Sequence, residues 1–212
     1  MFKDRIDAGT QLVKKLLKFK DENVVVIAIP RGGLPLGALA AKALKAPLDV
    51  ALTKKIGHPY HKEYAIGAVS LEDITLTNAM GVTQGYIEEE VAQIRKKLRQ
   101  RYNQYYKSHM PEIIQGKTII IIDDGIATGN TLLATVDLIS KQKPKKIVVA
   151  VPVAPNTALR KFETDPNIDE VICLLVPHNF QAVGQFYENF EQVSDQEAIA
   201  LLEVNNHRIA TK

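Results

Sequence analysis

Short apolar runs rich in β-branched residues recur along this chain, at 24–29, 50–53, 118–122, 147–151 and 171–176. Most are continuous rather than alternating, which marks strands covered on both faces, the condition of parallel strands in α/β proteins. Helical patterns fall between them, at 36–44, 87–106, 131–141 and 157–162, and the amino-terminal stretch MFKDRIDAGTQLVKKL reads as an amphipathic helix. Strand, helix, strand in repetition predicts an open parallel sheet with helices on both faces and right-handed crossovers. No internal repeat or convincing linker divides the 212 residues, so 1–212 reads as one domain.

The pattern breaks between Lys54 and Lys117. There GHPYHKEYAIGAVSLEDITL carries turn residues and two short alternating pieces suggesting a hairpin, followed by a long polar helix. An insertion of that size, about 56–115, predicts a lid, its moving part running from Gly57 to about Asp73. His58 and His61 have the H-x-x-H spacing of a metal pair, but no cysteine or second pair accompanies them, so surface histidines are the better reading. Ligands of open sheets bind beyond the carboxyl ends of the strands. The loops at 30–37, 54–63 and 123–131 each follow a predicted strand and should gather along one edge.

The most specific segment is IIIIDDGIATGNT. Four isoleucines end at Asp123 and Asp124, Gly125 permits a turn, Ile126 and Ala127 follow, and Thr128, Gly129, Asn130 and Thr131 open a helix. Small residues let consecutive backbone N–H groups converge on one anion, and a helix N-terminus adds to the attraction. The hydroxyls of Thr128 and Thr131 offer further donors to phosphate oxygens. Adjacent carboxylates repel each other, so Asp123 and Asp124 imply partners: sugar hydroxyls, a cation, or both. A plain strand-to-helix turn capped by Asp124 or Thr128 accounts for less of this pattern.

Here the sequence resembles the type I phosphoribosyltransferases, whose signature of apolar residues, two acids and a T-G-x-T-like loop matches residues 119–131. The resemblance implies that Asp123 and Asp124 bind the ribose 2′- and 3′-hydroxyls while Ala127–Thr131 cradle the 5′-phosphate of phosphoribosyl diphosphate. No Walker lysine pattern or G-x-G-x-x-G is present. Pro30-Arg31-Gly32-Gly33 follows the first core strand, as the family's diphosphate loop does; its glycines allow close backbone approach and Arg31 offers a planar fork for diphosphate oxygens. Lys54 and Lys55 are read as ending the second strand, where the family places a basic diphosphate contact; alternation turns only one inward, and Lys55 is the choice.

Glu63 on the lid is either a general base brought to the reacting nitrogen or a solvated glutamate. PHNFQAVGQFYENF is similar to the base-binding end of hypoxanthine-type enzymes: Phe180 would stack on a heterocycle and the backbone near Val183 would meet its edge. The alternative is an aromatic cluster of Phe180, Phe186, Tyr187 and Phe190 closing the core. This element, about 177–204, is expected to form a small hood. Ala127 stands where hypoxanthine-type enzymes place an acidic base, and His178 where they have aspartate. FxDRxDAG, PRGG, KKxG, E-x-AIGAV and FxAVGxxYxxFxxVxD together resemble an uncharacterised bacterial and archaeal group of predicted phosphoribosyltransferases.

The resemblance implies a pentosyl transfer of nucleotide metabolism, from phosphoribosyl diphosphate to a nitrogen acceptor, with Mg²⁺ carried by the substrate and touching Asp123 and Asp124. Other readings of the fold are a donor-binding sensor or hydrolase, and an RNA-binding regulator. The latter would use Arg95, Lys96, Lys97, Arg99, Arg101 and Lys107 with Tyr102, Tyr105 and Tyr106 on one helix. That helix also carries an apolar stripe of Val91, Ile94 and Leu98, and the net charge of +3 is too mild to demand nucleic acid. No apolar run approaches the ~20 residues of a membrane span. The lone Cys173 in VICLLV reads as a buried, reduced thiol of a cytoplasmic protein, with a homodimer as the candidate assembly.

Overall fold

The computed structural model describes residues 1–62, 64–77, 79–106 and 110–210, with side chains described as far as 206. The chain forms two compact units: Met1–Ala51, Pro111–Gly129 and Lys143–Lys212 in the first, Leu52–Met110 and Asn130–Gln142 in the second.

In the first unit, α1 (Arg5–Leu16) begins where the Asp4 carboxylate accepts from the Asp7 N–H at 2.8 Å, an N-cap of the usual geometry. It buries Ala8, Gly9, Leu12 and Leu16. After it come β1 (Val24–Ala28), α2 (Gly33–Leu44) and β2 (Leu48–Val50). The unit resumes with β6 (Thr118–Ile122), β7 (Lys146–Val153), α5 (Asn156–Glu163), β8 (Glu170–Leu175) and α6 (Asp195–Ala210). The five strands form one sheet in the order β2-β1-β6-β7-β8, every neighbouring pair parallel. This is the expected open parallel sheet. The strands β1 and β6 lie at its centre with every residue buried, and all four isoleucines of β6 are 0% exposed. At roughly 1.5–3 kcal/mol for each fully buried side chain, that apolar run anchors the fold.

One strand differs from expectation. The run at 50–53 is not one strand: β2 ends at Val50, and the last sheet bond beyond it runs from the Ala51 N–H to the Ala28 carbonyl at 2.9 Å. Lys54 and Lys55 therefore do not end the second strand but begin β3 (Lys54–Gly57) in the second unit. Apolar, β-branched composition suits the end of one strand and the approach to another equally, so it gives no sign of the change of sheet.

In the second unit, β3, β4 (Ala65–Val69) and β5 (Ile74–Leu76) form an antiparallel sheet in that order, one strand more than a hairpin. The helix α3 (Gln84–Tyr105) starts at Thr83, whose hydroxyl accepts from the Tyr86 N–H. Its Ile87, Ile94 and Leu98 share a core with Ile56, Ile66 and Val69. The helix α4 (Asn130–Ser140) packs through Ala134 and Leu138 on Ala68.

Candidate ribose-phosphate site

The central strands end level, with Ala28 opposite Ile122 and the Ile29 N–H donating to the Ile122 carbonyl at 2.8 Å. Two of the three suspected loops therefore leave the sheet side by side. The third, 54–63, belongs to the second unit and follows no strand of this sheet directly. In the first loop the Pro30–Arg31 peptide is cis, and the chain turns straight into α2. A methyl group built on Gly32 would sit 2.0 Å from Asp124 Oδ2, and one on Gly33 would sit 2.5 Å from the Ile122 carbonyl oxygen. The missing side chains thus let this loop close against the acid pair. The Arg31 side chain is 29% exposed, and its guanidinium stands 3.6 Å from Asp195 at the start of α6.

Asp123 accepts from the Asp124 N–H at 2.9 Å. Burial, and then the neighbouring Asp124 charge, push its carboxyl well above the ordinary carboxylate range. Burial raises Asp124 too, opposed by a partner from the far end of the chain. Arg5, the first residue of α1, places Nε 2.9 Å and a terminal nitrogen 2.8 Å from Asp124 Oδ2. Its other terminal nitrogen donates to the Glu191 carbonyl at 2.5 Å, and its guanidinium carbon lies 3.9 Å from the centre of the Phe190 ring. Tyr187 donates its hydroxyl to the Asp124 carbonyl at 2.6 Å; burial pushes this phenol up, so it remains a donor at physiological pH.

Past the acids, the Ile126 N–H donates to the Val153 carbonyl at 2.9 Å and pins the loop to the end of β7. Ala127 and Thr128 are exposed. Among the described residues, the N–H groups of Ala127, Thr128 and Gly129 meet no protein acceptor. Three successive free donors at a strand-to-helix turn are what an anion nest requires. Gly129 has φ +78°, and a methyl group there would lie 2.6 Å from the Phe162 ring. Asn130 and exposed Thr131 open α4.

On the carboxy-terminal side, Val183 reaches the loop: a methyl group on Gly125 would meet Val183 Cγ1 at 2.5 Å. Phe180 is half-buried and stacks on Phe186, ring centres 5.5 Å apart. Tyr187 is buried against Phe2 and the exposed Phe190, while Phe180 stays partly open. Cys173 is half-buried, not fully buried, and burial raises its thiol pKa.

The remaining candidates belong to the second unit. Lys54 is exposed and Lys55 half-buried at the head of β3, the asymmetry that alternation predicts. Glu63 lies outside the described residues, as does Lys107. On α3, Arg95 donates to the Ser70 and Glu72 carbonyls, and Tyr105 and Tyr106 are buried, so part of the expected nucleic-acid face is engaged within the unit. His58 and His61 stack on each other, and among the described residues no three His, Cys, Asp or Glu side chains form a metal cluster. Among the described residues, Asp123 and Asp124 are the acids at this turn, with Asp124 already paired by Arg5; that donor set fits a cation arriving on phosphate oxygens.

Sequence reasoning requires a partner for the acid pair but does not single out Arg5 or Tyr187. The only signals are the D-R of the first motif and the tyrosine of GQFYENF, and neither states what it contacts.

The phosphoribosyl transferase domain profile matches residues 4–189. A Mycobacterium tuberculosis protein named "Putative phosphoribosyl transferase Rv0571c" is 37% identical over 208 residues, covering 96% of this chain and 46% of that protein. The chain thus spans about half the length of the curated relatives it matches. The uracil phosphoribosyltransferase of Mycoplasma genitalium is 41% identical over 66 residues, 31% of this chain and 32% of that one. The crystal structure of TT1426 from Thermus thermophilus superposes with a TM-score of 0.88 at 35% identity, over 95% of this chain and 97% of that one. The profile match runs from the Asp4 cap of α1 to the tail that grips Asp124, and the chain belongs to the phosphoribosyl transferase domain family.

Proposed function

We propose that this domain transfers a 5-phosphoribosyl group from phosphoribosyl diphosphate to a nitrogen acceptor and releases diphosphate. The observation that carries the reading is a buried acid pair continuous with a turn of three unpartnered N–H donors. One end suits a diol and the other a phosphate, and ribose 5-phosphate has both.

In this reading the N–H groups of Ala127, Thr128 and Gly129, with the Thr128 and Thr131 hydroxyls and Asn130, hold the 5′-phosphate. Asp123 and Asp124 accept from the 2′- and 3′-hydroxyls, while Gly125 and Ile126 set the turn. Arg31, with the backbone of Gly32 and Gly33, holds the diphosphate, and Lys55 is proposed to join them. The C1–oxygen bond breaks with its electron pair leaving on diphosphate, and the acceptor nitrogen forms the new bond to C1. The carboxylates offset the positive charge that develops on the ring, and Arg31 offsets the charge on the leaving group. A divalent cation brought by the substrate would supply further neutralisation of diphosphate, within reach of Asp123 and Asp124. The acceptor's proton passes to a base, for which Glu63 is the candidate.

For the acceptor we propose a flat nitrogen heterocycle stacked on Phe180 and edged by Val183, and not hypoxanthine or guanine, because Ala127 offers no acid. Residues 57–73 are the candidate lid and 177–204 the acceptor-side element of a single catalytic module. Among the described residues no helix is long and apolar enough to cross a membrane; the cytoplasmic location is a proposal that rests on the transferase reading. The test is diphosphate release from phosphoribosyl diphosphate and Mg²⁺ across purines, pyrimidines and small amines. Acceptor-dependent release supports transfer, acceptor-independent release makes the domain a hydrolase, and binding without release makes it a sensor. No binding at all refutes the reading.

A further inference from the structure

We infer that Arg5 is a positioning residue and the acid pair's own cation, holding Asp124 by one oxygen so that the pair receives a ribose diol with no metal resident on the protein. The inference rests on the ribose reading of Asp123 and Asp124 and adds a residue and a cation requirement to it.

Every nitrogen of the Arg5 guanidinium is committed. Nε and one terminal nitrogen lie 2.9 and 2.8 Å from the same oxygen, Asp124 Oδ2, and the other terminal nitrogen is on the Glu191 carbonyl at 2.5 Å. The Phe190 ring covers one face at 3.9 Å. The two side chains are only 12% and 14% exposed, so this contact is not the solvent-screened ion pair of a surface. Oδ2 is also closed in by Gly32, where even a methyl group would approach to 2.0 Å. Arg5 makes no contact with Oδ1, and in the inferred arrangement that oxygen receives a ribose hydroxyl.

The segment carrying Arg5 is itself fixed. The Phe2 N–H donates to the Phe186 carbonyl at 2.8 Å, and the Glu188 and Asn189 N–H groups each donate at 2.9 Å to the Phe2 and Lys3 carbonyls. Arg5 therefore arrives preorganised, and a planar guanidinium loses little freedom on forming these bonds. Its effect is electrostatic as well as steric. Two ionised carboxylates would carry two negative charges into a buried site facing a polyanionic ligand; with Arg5 the group carries one. Among the described residues no third metal-ligating side chain joins the pair.

The probe is ribose 5-phosphate, which has the diol and the phosphate but no diphosphate to bring Mg²⁺ with it. Calorimetric titrations of wild type, Arg5→Gln and Arg5→Lys would be run in chelator and in excess Mg²⁺. Wild type should bind equally in both. Arg5→Gln should bind about ten- to a hundredfold more weakly in chelator, the size of a charge-assisted contact, and should recover part of the loss in Mg²⁺. Titrated with Mg²⁺ alone, it should take up the ion while wild type does not. Arg5→Lys, keeping charge without the fork, should fall between. Unchanged affinity in Arg5→Gln, or a loss indifferent to Mg²⁺, overturns the inference and leaves Arg5 a mere staple of the amino-terminus. Should Arg5→Gln not fold, the same two outcomes in Arg5→Lys decide. A wild type that ignores ribose 5-phosphate overturns the ribose reading itself, a result distinct from any failure of Arg5.

Discussion

Gly129→Ala tests whether the proposed phosphate turn is held in shape by the core beneath it. Two independent penalties follow from the structure. Gly129 has φ +78°, and placing an L-residue in the left-handed region costs roughly 1–2 kcal/mol. The new methyl group would also lie 2.6 and 2.8 Å from two atoms of the Phe162 ring, which is 0% exposed. Overpacking of a closed core costs roughly 1–3 kcal/mol. The sum, about 2–5 kcal/mol, is a large share of an ordinary domain's stability. Gly116 supplies the control, because its φ is +71° but a methyl group there meets nothing within 4 Å. Gly116→Ala should therefore show the backbone penalty alone, roughly 1–2 kcal/mol. In thermal melts the gap between the two variants should be several degrees, at about 2–4 °C per kcal/mol for a chain of this size. Phe162→Leu opens space under the turn, so in the Gly129→Ala background it should recover on the order of 1 kcal/mol relative to additivity. Ribose 5-phosphate affinity should fall in Gly129→Ala and hold in Gly116→Ala. Equal melting points for the two glycine variants, or strict additivity with Phe162→Leu, would refute the reasoning.

The acid pair, the proposed diphosphate loop, the proposed acceptor side and the amino-terminal segment each give a further test. Asp123→Asn with Asp124→Asn should abolish phosphoribosyl diphosphate binding in calorimetry while the protein stays folded. Asp123→Asn alone should raise stability at pH 7 by on the order of 1 kcal/mol, as relief of a buried like-charge contact does. The pH sign follows: a carboxyl raised in the folded state holds its proton longer there, so wild-type stability falls as pH rises from the unfolded value of about 3.9 through the raised one, and Asp123→Asn removes the Asp123 share of that slope. Arg31→Ala should weaken phosphoribosyl diphosphate at least about tenfold more than ribose 5-phosphate, the loss of a charged contact; equal losses would make Arg31 scaffolding. Phe180→Ala should raise the acceptor KM by the equivalent of about 1–3 kcal/mol of lost stacking with donor affinity unchanged, and robust turnover of hypoxanthine or guanine by wild type would sink that acceptor class. Phe2→Ala removes a side chain 5% exposed and should cost about 3–5 kcal/mol of stability, yet leave ribose 5-phosphate affinity within about twofold because Arg5 remains.

What could be read from the residues was whatever a single segment determines. The four isoleucines before Asp123 dictated a buried central strand, and β6 spans the expected residues. Gly125, Thr128 and Gly129 marked a turn after it, and the turn is there with free N–H groups. What escaped is what depends on distant partners. The division into two units passes between Ala51 and Leu52, inside a run whose composition suits a strand throughout. Gly32 and Gly33 could be read as permitting a close backbone approach, but the sequence does not say that Asp124 and the Ile122 carbonyl make one. The helix α6 carries weakly patterned apolar positions, and no expectation placed a helix there.

The acid pair shows why those distant partners matter. Asp123 and Asp124 gain nothing for stability by standing buried at a strand end; desolvation and mutual repulsion both act against them. A sheet of this kind could end in any small polar turn. The fold instead brings two remote groups to the one residue: Arg5, 119 positions away, onto the Asp124 carboxylate, and Tyr187, 63 positions away, onto its carbonyl. Phe2 and Phe190 then pack on Tyr187, so the amino-terminal segment and the carboxy-terminal tail hold each other against the strand end. Neither segment is needed to complete the sheet, whose five strands pair without them. Their convergence is explained if holding Asp124 fixed in direction is itself what they are for, as a residue that must receive one hydroxyl of a sugar would require.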